Sequence, residues 1–291
     1  MSAFVQNTGS LASEAEWEMT SRSLRSTGDA DVDPHASEVT SNPRPGYSGV
    51  AEEVSQFHSF LEYATLALFP VLFIPNVYLS VSRLHELEVV WLVAVAIPIS
   101  LVAGDFVSGM VHWAADTYCS EDTPIVGPGF VKPFRNHHIY PRDITTHHLA
   151  ATVGNVCVMA VPVLLVCLYL VWSGDVSSWV AFLVLCVALM SLATAATNQF
   201  HKWAHSENPP AYARPLQRLR LVLEPAHHEL HHTEPFETHY CITNGWLNPL
   251  LNRIKFFRRL ESALALVGIQ TAKVNDLKQA QPTAQSACEA E

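Results

Sequence analysis

The sequence predicts an all-α membrane protein, four transmembrane helices carrying a cytoplasmic, histidine-rich helical cap and interfacial helices. Three observations lead there. Hydrophobic residues make up 49% of the chain and charged residues only 15%, against about 25% charged in soluble domains. Four apolar runs are each long enough to cross a bilayer, for which about 20 residues rising 1.5 Å apiece suffice. Fifteen histidines are present, and they concentrate beside the apolar runs. The net charge of −10 argues against a nucleic-acid partner, since phosphate binding calls for basic surface.

Taken in order, residues 1–55 are rich in Ser, Thr, Gly, Pro and acids, without hydrophobic periodicity, and read as a disordered tail. They contain no apolar signal-peptide core, and acids such as Glu14, Glu16 and Glu18 are unsuited to a transit peptide. A membrane domain is expected over 56–270, followed by a flexible tail at 271–291. The first span, Phe60–Val81, holds Pro70 and Pro75 and reads as kinked or broken. The second, Val89–Met110, follows after only Ser82–Glu88, so the two run antiparallel. A polar stretch from Val111 to Ala150 leads to the third span, Val153–Trp172, and the short turn Ser173–Ser177 leads to the fourth, Ser178–Thr197. Amphipathic pieces at Arg214–Leu223 and Leu247–Val267 pair Leu, Ile and Phe with Arg and Lys, which suits helices lying in the interface. Paired helices of a soluble domain are the alternative for those two. Four spans place the N-terminal tail, the 111–150 loop and the C-terminal region on one side. Lys132, Arg135, Arg142, Lys202 and the arginines from 214 to 259 lie there, against Arg83 alone opposite, so that side faces the cytoplasm. Six cysteines form no metal-binding or disulfide pattern.

The histidines carry the chemistry. His201 and His205 stand at i, i+4, which puts two rings on one helix face, their Cβ atoms about 6 Å apart. His228, His231 and His232 form a second box with His227 just ahead of it. Two of its rings share a face and the third lies about 100° round, toward a second ion. His112 and Asp116, again i, i+4, end the second span, where the carboxylate either ligates or orients His112 from an outer shell; Asp105 lies a little upstream. His137 and His138, as neighbours, point about 100° apart on a helix and so suit different metals or shells. His147 and His148 follow, His148 being the weaker candidate. One zinc takes four ligands, so about eight nitrogens imply two ions. Imidazole accepts iron, copper, nickel or zinc, and the donors alone do not choose. A site at a membrane surface beside apolar helices suits oxidation of an unactivated C–H bond, which requires an oxidant made from O2 and electrons, hence iron.

Four strings are then recognisable: GDFVSGMVHWAAD at 104–116, PFRNHH at 133–138, NQFHKWAH at 198–205 and YCITNGWLN at 240–248. Together they resemble the plasmanylethanolamine desaturase family over roughly 103–260. The resemblance implies a di-iron enzyme of the endoplasmic reticulum membrane. It would oxidise the 1-O-alkyl chain of an ether phospholipid to a vinyl ether with O2 and electrons from cytochrome b5, making a plasmalogen. It implies ligands at His112, His137, His138, His147, His201, His205, His228, His231 and His232, and no separate catalytic acid or base. Asp105, Asp116, Asn155, His227 and His239 are the outer-shell candidates. The chain departs from the animal pattern at Ala151, Val153, Asn155 and Val156, where Glu, Asn, Asp and Asn are expected. It departs again at Phe236, where a histidine is expected, with His239 three residues on.

Other readings bracket this one. Plastid desaturases that place a trans double bond in the palmitate of phosphatidylglycerol share the second histidine box and the Tyr-Cys-Ile string; the acid-bearing tail favours the reticulum. A divalent-metal transporter would put ionisable ligands near the midplane, where these spans carry none. A scaffold protein holding a structural metal is the third.

Overall fold

The computed structural model describes residues 56–118 and 131–271. The expected tails, 1–55 and all but the first residue of 271–291, lie outside the described residues. Within these limits every regular element is helical. The order is α1 (Gln56–Glu86), α2 (Leu92–Thr117), α3 (Lys132–Ile139), a 3-10 turn (Asp143–Thr146), a π turn (Ala150–Gly154) and α4 (Asn155–Trp172). Then come α5 (Ser178–His205), α6 (Ala213–Arg218), α7 (Pro225–Glu229), α8 (Asn248–Arg253) and α9 (Phe256–Leu266).

Four helices are long and apolar enough to cross a membrane: α1, α2, α5, and α4 with its preceding π turn. Their outward faces expose Val71, Ile74, Ile97, Met159, Val166 and Leu183, as expected where the neighbour is hydrocarbon and not water. α5 is the central helix, packing on α1, α2 and α4, while α1 packs on α4. Small residues permit this: Ala181, Ala188, Ala193 and Ala195 of α5 are all buried.

Of the two forms expected for the first span, kinked or broken, the break does not occur. α1 runs unbroken through Pro70 and Pro75, because a break inside the hydrocarbon would strand several more backbone groups than the two prolines already do. The second and fourth spans also continue past their apolar runs, α2 to Thr117 and α5 to His205. The histidine boxes at their ends are therefore helical, and their polar residues turn inward: His112, Asp116 and His201 are buried.

The bundle has two distinguishable ends. At one, Arg83 donates to the Val176 carbonyl and to Asp175, tying the α1–α2 turn to the α4–α5 turn. At the other, the start of α1 meets the start of α4: Thr65 Oγ1 donates to the Gly154 carbonyl, 3.2 Å away, and Tyr63 stacks on His148 with ring centres 5.8 Å apart. This second end carries the C-termini of α2 and α5, and with them the histidines. The cap there is built from α3 and the 206–267 segment. Of the predicted amphipathic piece 214–223 only Ala213–Arg218 is helical. Arg220 adopts φ 54°, and Leu223 turns inward to pair its N–H with the Thr243 carbonyl. The piece 247–267 is two helices, divided at Lys255 with φ 53°. α9 docks on the end of α2, where Trp113 Nε1 donates to Glu261 above a cluster of Trp113, Tyr240, Cys241, Leu251 and Phe257.

Candidate metal centre

Two donor groups form at this end. The first joins His137, His201, His205, His228 and His232; the second joins His112, Asp116, His138 and His231. Within each, one ligand atom per residue lies within 4.8 Å of all the others. Each structural element divides its donors by helical geometry. α5 delivers His201 and His205, one turn apart, to the first group. α2 delivers His112 and Asp116, also one turn apart, to the second. The adjacent His137 and His138 of α3 split between the groups, since neighbours on a helix diverge by about 100°. His228 and His232 enter the first group and His231, between them, the second.

The spacing in the first group is characteristic of ligands. His205 Nε2 lies 2.9 Å from His137 Nε2, 3.2 Å from His201 Nε2 and 2.8 Å from His228 Nε2, and His232 Nε2 lies 3.0 Å from His228 Nε2. A neutral imidazole has one N–H, so these nitrogens cannot all be donor-to-acceptor pairs. Nitrogens bound about 2.0–2.1 Å from one ion would stand about 3.0 Å apart at right angles and about 3.4 Å at the tetrahedral angle. The observed separations match. Burial pushes His137 and His228 well below the ordinary imidazole pKa, and neighbouring imidazoles push further. The rings are therefore neutral near pH 7, with lone pairs available to a cation.

The second group is enclosed. His112, Asp116, His138 and His231 are all buried. Asp116 Oδ2 sits 3.0 Å from His138 Nε2, 3.3 Å from His112 Nε2 and 3.6 Å from His231 Nε2. Asp116 thus stands with the three rings in the group that could hold an ion. His112 Nε2 and His231 Nε2 are buried without a hydrogen-bond partner, while their other nitrogens are engaged: His231 Nδ1 with the Thr238 carbonyl at 2.7 Å and His112 Nδ1 with the Tyr240 carbonyl at 3.1 Å. Each Nδ1–H donation fixes the tautomer that turns the Nε2 lone pair inward. A buried polar atom without a partner costs roughly 1–3 kcal/mol; a shared cation removes that cost for both rings. The donor set, imidazoles with one carboxylate, fits a first-row metal such as iron or zinc.

The remaining predicted site residues lie elsewhere. His147 is exposed and belongs to neither group; it ends the 3-10 turn in extended backbone, and it is its carbonyl, not its ring, that Lys202 Nζ engages. Asn155 opens α4 and also belongs to neither. Asp105, fully buried, anchors a loop: Oδ1 accepts from the Asn244 and Gly245 N–H groups at 3.1 and 2.9 Å, Oδ2 from Leu247 N–H at 3.1 Å. His227 and His239 lie just behind the second group with ring centres 5.1 Å apart, accepting from Asn248 and Asn252 respectively. Phe236 is buried with its ring centre 5.2 Å from that of His138. Burial, reinforced by Asp105, pushes the Cys241 thiol up, and Cys241 belongs to neither donor group. Sequence reading missed the Thr238 and Tyr240 carbonyls, because a backbone acceptor leaves no residue-type signal.

A bundle of four membrane-length helices with two imidazole-rich groups at one end, each able to hold a metal ion, is a multi-pass membrane protein. Among such proteins its kind is specific: the chain belongs to the lipid desaturase domain family, which matches residues 101–273. It is 43% identical over 171 residues to the plasmanylethanolamine desaturase of Myxococcus xanthus, covering 59% of this chain and 60% of that protein. It is 38% identical over 197 residues to plasmanylethanolamine desaturase 1 of Mus musculus, covering 65% and 71%. The chain therefore spans less than two thirds of the bacterial relative and somewhat more of the mouse one. The chloroplastic fatty acid desaturase 4 of Arabidopsis thaliana is 32% identical over 163 residues, 55% of this chain and 48% of that protein. No solved structure matches.

Proposed function

We propose that the chain is a di-iron plasmanylethanolamine desaturase, acting in the endoplasmic reticulum membrane with its histidine end toward the cytoplasm. The reading extends over 56–270. The observation that carries it is the pair of donor groups at one end of a bundle of membrane-length helices. Identities of 43% and 38% to plasmanylethanolamine desaturases, against 32% to the chloroplastic enzyme, favour the ether lipid over phosphatidylglycerol palmitate.

When bound, two iron ions would supply the O2-dependent oxidising power that an unactivated C–H bond demands. The reaction balances with two hydrogens leaving adjacent carbons of the 1-O-alkyl chain. Two electrons come from the substrate and two from cytochrome b5, and one O2 becomes two waters. The protein's own contribution is positional. α2 and α5 run from the apolar bundle to the donor groups, the route along which an alkyl chain in the bilayer would approach them. Burial of the second group excludes solvent from its donors.

Lipid analysis of cells lacking their own plasmalogen desaturase, with and without this chain, tests the proposal. Acid-labile vinyl-ether ethanolamine lipids should appear only with the chain, at the expense of their alkyl precursors. Accumulation of trans-unsaturated palmitate in phosphatidylglycerol would instead identify the plastid-type activity. Neither change, with good expression and a working donor, would refute both. Enhanced metal uptake without lipid change would point to transport.

A further inference from the structure

We infer that Asn248 and Asn252, one turn apart on α8, are positioning residues for the second donor group, acting through the peptide units at 238–239 and 240–241. The inference rests on the two-ion reading above. Each of these peptide units is gripped from both sides. The unit joining Thr238 to His239 presents its carbonyl to His231 Nδ1 at 2.7 Å, while its N–H donates to Asn252 Oδ1 at 3.4 Å. The unit joining Tyr240 to Cys241 presents its carbonyl to His112 Nδ1 at 3.1 Å, while its N–H donates to Asn248 Oδ1 at 2.9 Å. A trans peptide is planar, its N–H and C=O pointing oppositely. Pinning the N–H therefore aims the carbonyl, and hydrogen bonding at one side of an amide strengthens acceptance at the other.

The spacing makes the device work. Residues at i, i+4 on a helix are about 6 Å apart along the axis, and from there Asn252 Oδ1 meets the His239 N–H and Asn248 Oδ1 the Cys241 N–H, across the left-handed turn that His239 makes at φ 59°. Both amides also use their donors locally. Asn248 Nδ2 reaches the Cys241 carbonyl at 2.8 Å and His227 Nε2 at 3.0 Å; Asn252 Nδ2 reaches His239 Nε2 at 3.2 Å. The 238–241 segment has no helix or sheet ladder of its own, so these side chains stand in for one. None of the four carbonyl and N–H contacts involves a donor of the first group. The effect is therefore confined to His112 and His231.

The test measures bound iron and its extraction by a chelator in the full chain, purified in lipid nanodiscs. The wild-type chain should hold two ions. Asn252→Ala should release one of them about 10-fold faster or more and leave the other at the wild-type rate, and Asn252→Asp, which keeps the accepting oxygen, should restore slow release. Asn248→Ala should act in the same direction and more strongly, its hydrogen bond being shorter; Asn252, only half buried, keeps the test open where the fully buried Asn248 variant fails to fold. Two ions lost at wild-type rate from Asn252→Ala, or both lost faster in equal measure, would overturn the inference. Fewer than two ions in the wild-type chain would sink the two-ion reading itself.

Discussion

Imidazole nitrogens 2.8–3.2 Å apart around His205 cannot all be joined by protons, whereas a cation held between them would satisfy them together. A proton can be shared by two rings, not by four. This gives a prediction in which stability and activity move apart. In the metal-free chain, His205→Ala removes the most crowded ring and should leave the melting temperature unchanged or raise it. In the iron-loaded chain the same substitution should lower it and cost desaturation by more than about 100-fold. A histidine kept merely for hydrogen bonding would lower both melting temperatures on removal. Asp116→Asn should behave differently, since Oδ2 is the point on which three rings of the second group converge. It should weaken iron retention there and leave the first group loaded, as read by metal analysis.

At the scale of elements, two buried contacts between α1 and the start and middle of α4 look alike and differ in magnitude. A Cβ on Gly154 would stand 2.6 Å from the Glu62 carbonyl oxygen, a backbone atom that cannot swing aside. Gly154→Val should therefore overpack the α1–α4 contact at a cost of about 1–3 kcal/mol, visible as a loss of several degrees in melting temperature. Asn76 is also fully buried, and its Nδ2 donates across to the Leu164 carbonyl at 3.0 Å. A side-chain bond between membrane helices contributes only about 0.6 kcal/mol on average, and Asn76 Oδ1 is buried without a partner. Asn76→Leu should thus change stability by less than about 1 kcal/mol, in either direction. A large loss there would mean that Oδ1 contacts water or substrate in the membrane.

For the whole molecule, the donor groups couple stability to pH. His137, His228 and His231 have folded pKa values well below the ordinary one, chiefly through burial, whereas in the unfolded chain they titrate near 6.5. Below about pH 6.5 the unfolded chain therefore binds protons that the folded one excludes, and stability must fall with falling pH. Above about pH 7 both states are neutral at these rings and the effect vanishes. Thermal unfolding of the metal-free chain should show a marked drop between pH 7.5 and 5.5. Bound metal excludes the same protons, so the loaded chain should lose iron over this window as well.

The sequence by itself determined the four spans, their antiparallel order and the gathering of histidines at one end. These follow from apolar run length, loop length and i, i+4 spacing, all of which are local quantities. It also divided His137 from His138, because a helix turns neighbours apart whatever surrounds it. It read the boxes at His112 and His201 as helical from their i, i+4 spacing, but it could not say that these polar residues turn inward, since their burial depends on what packs opposite. Only the tertiary structure set His147 outside both groups, placed Asp116 against the three rings of the second group and gave Asp105 to the 244–247 loop. A carboxylate serves whichever N–H groups or rings the fold brings to it: Asp105 takes N–H groups from the distant 244–247 loop, and Asp116 meets His231 from far along the chain as well as His112 and His138 close by. The same holds for the Thr238 and Tyr240 carbonyls. Every residue carries a carbonyl, so only the folded chain decides which two hold a ligand.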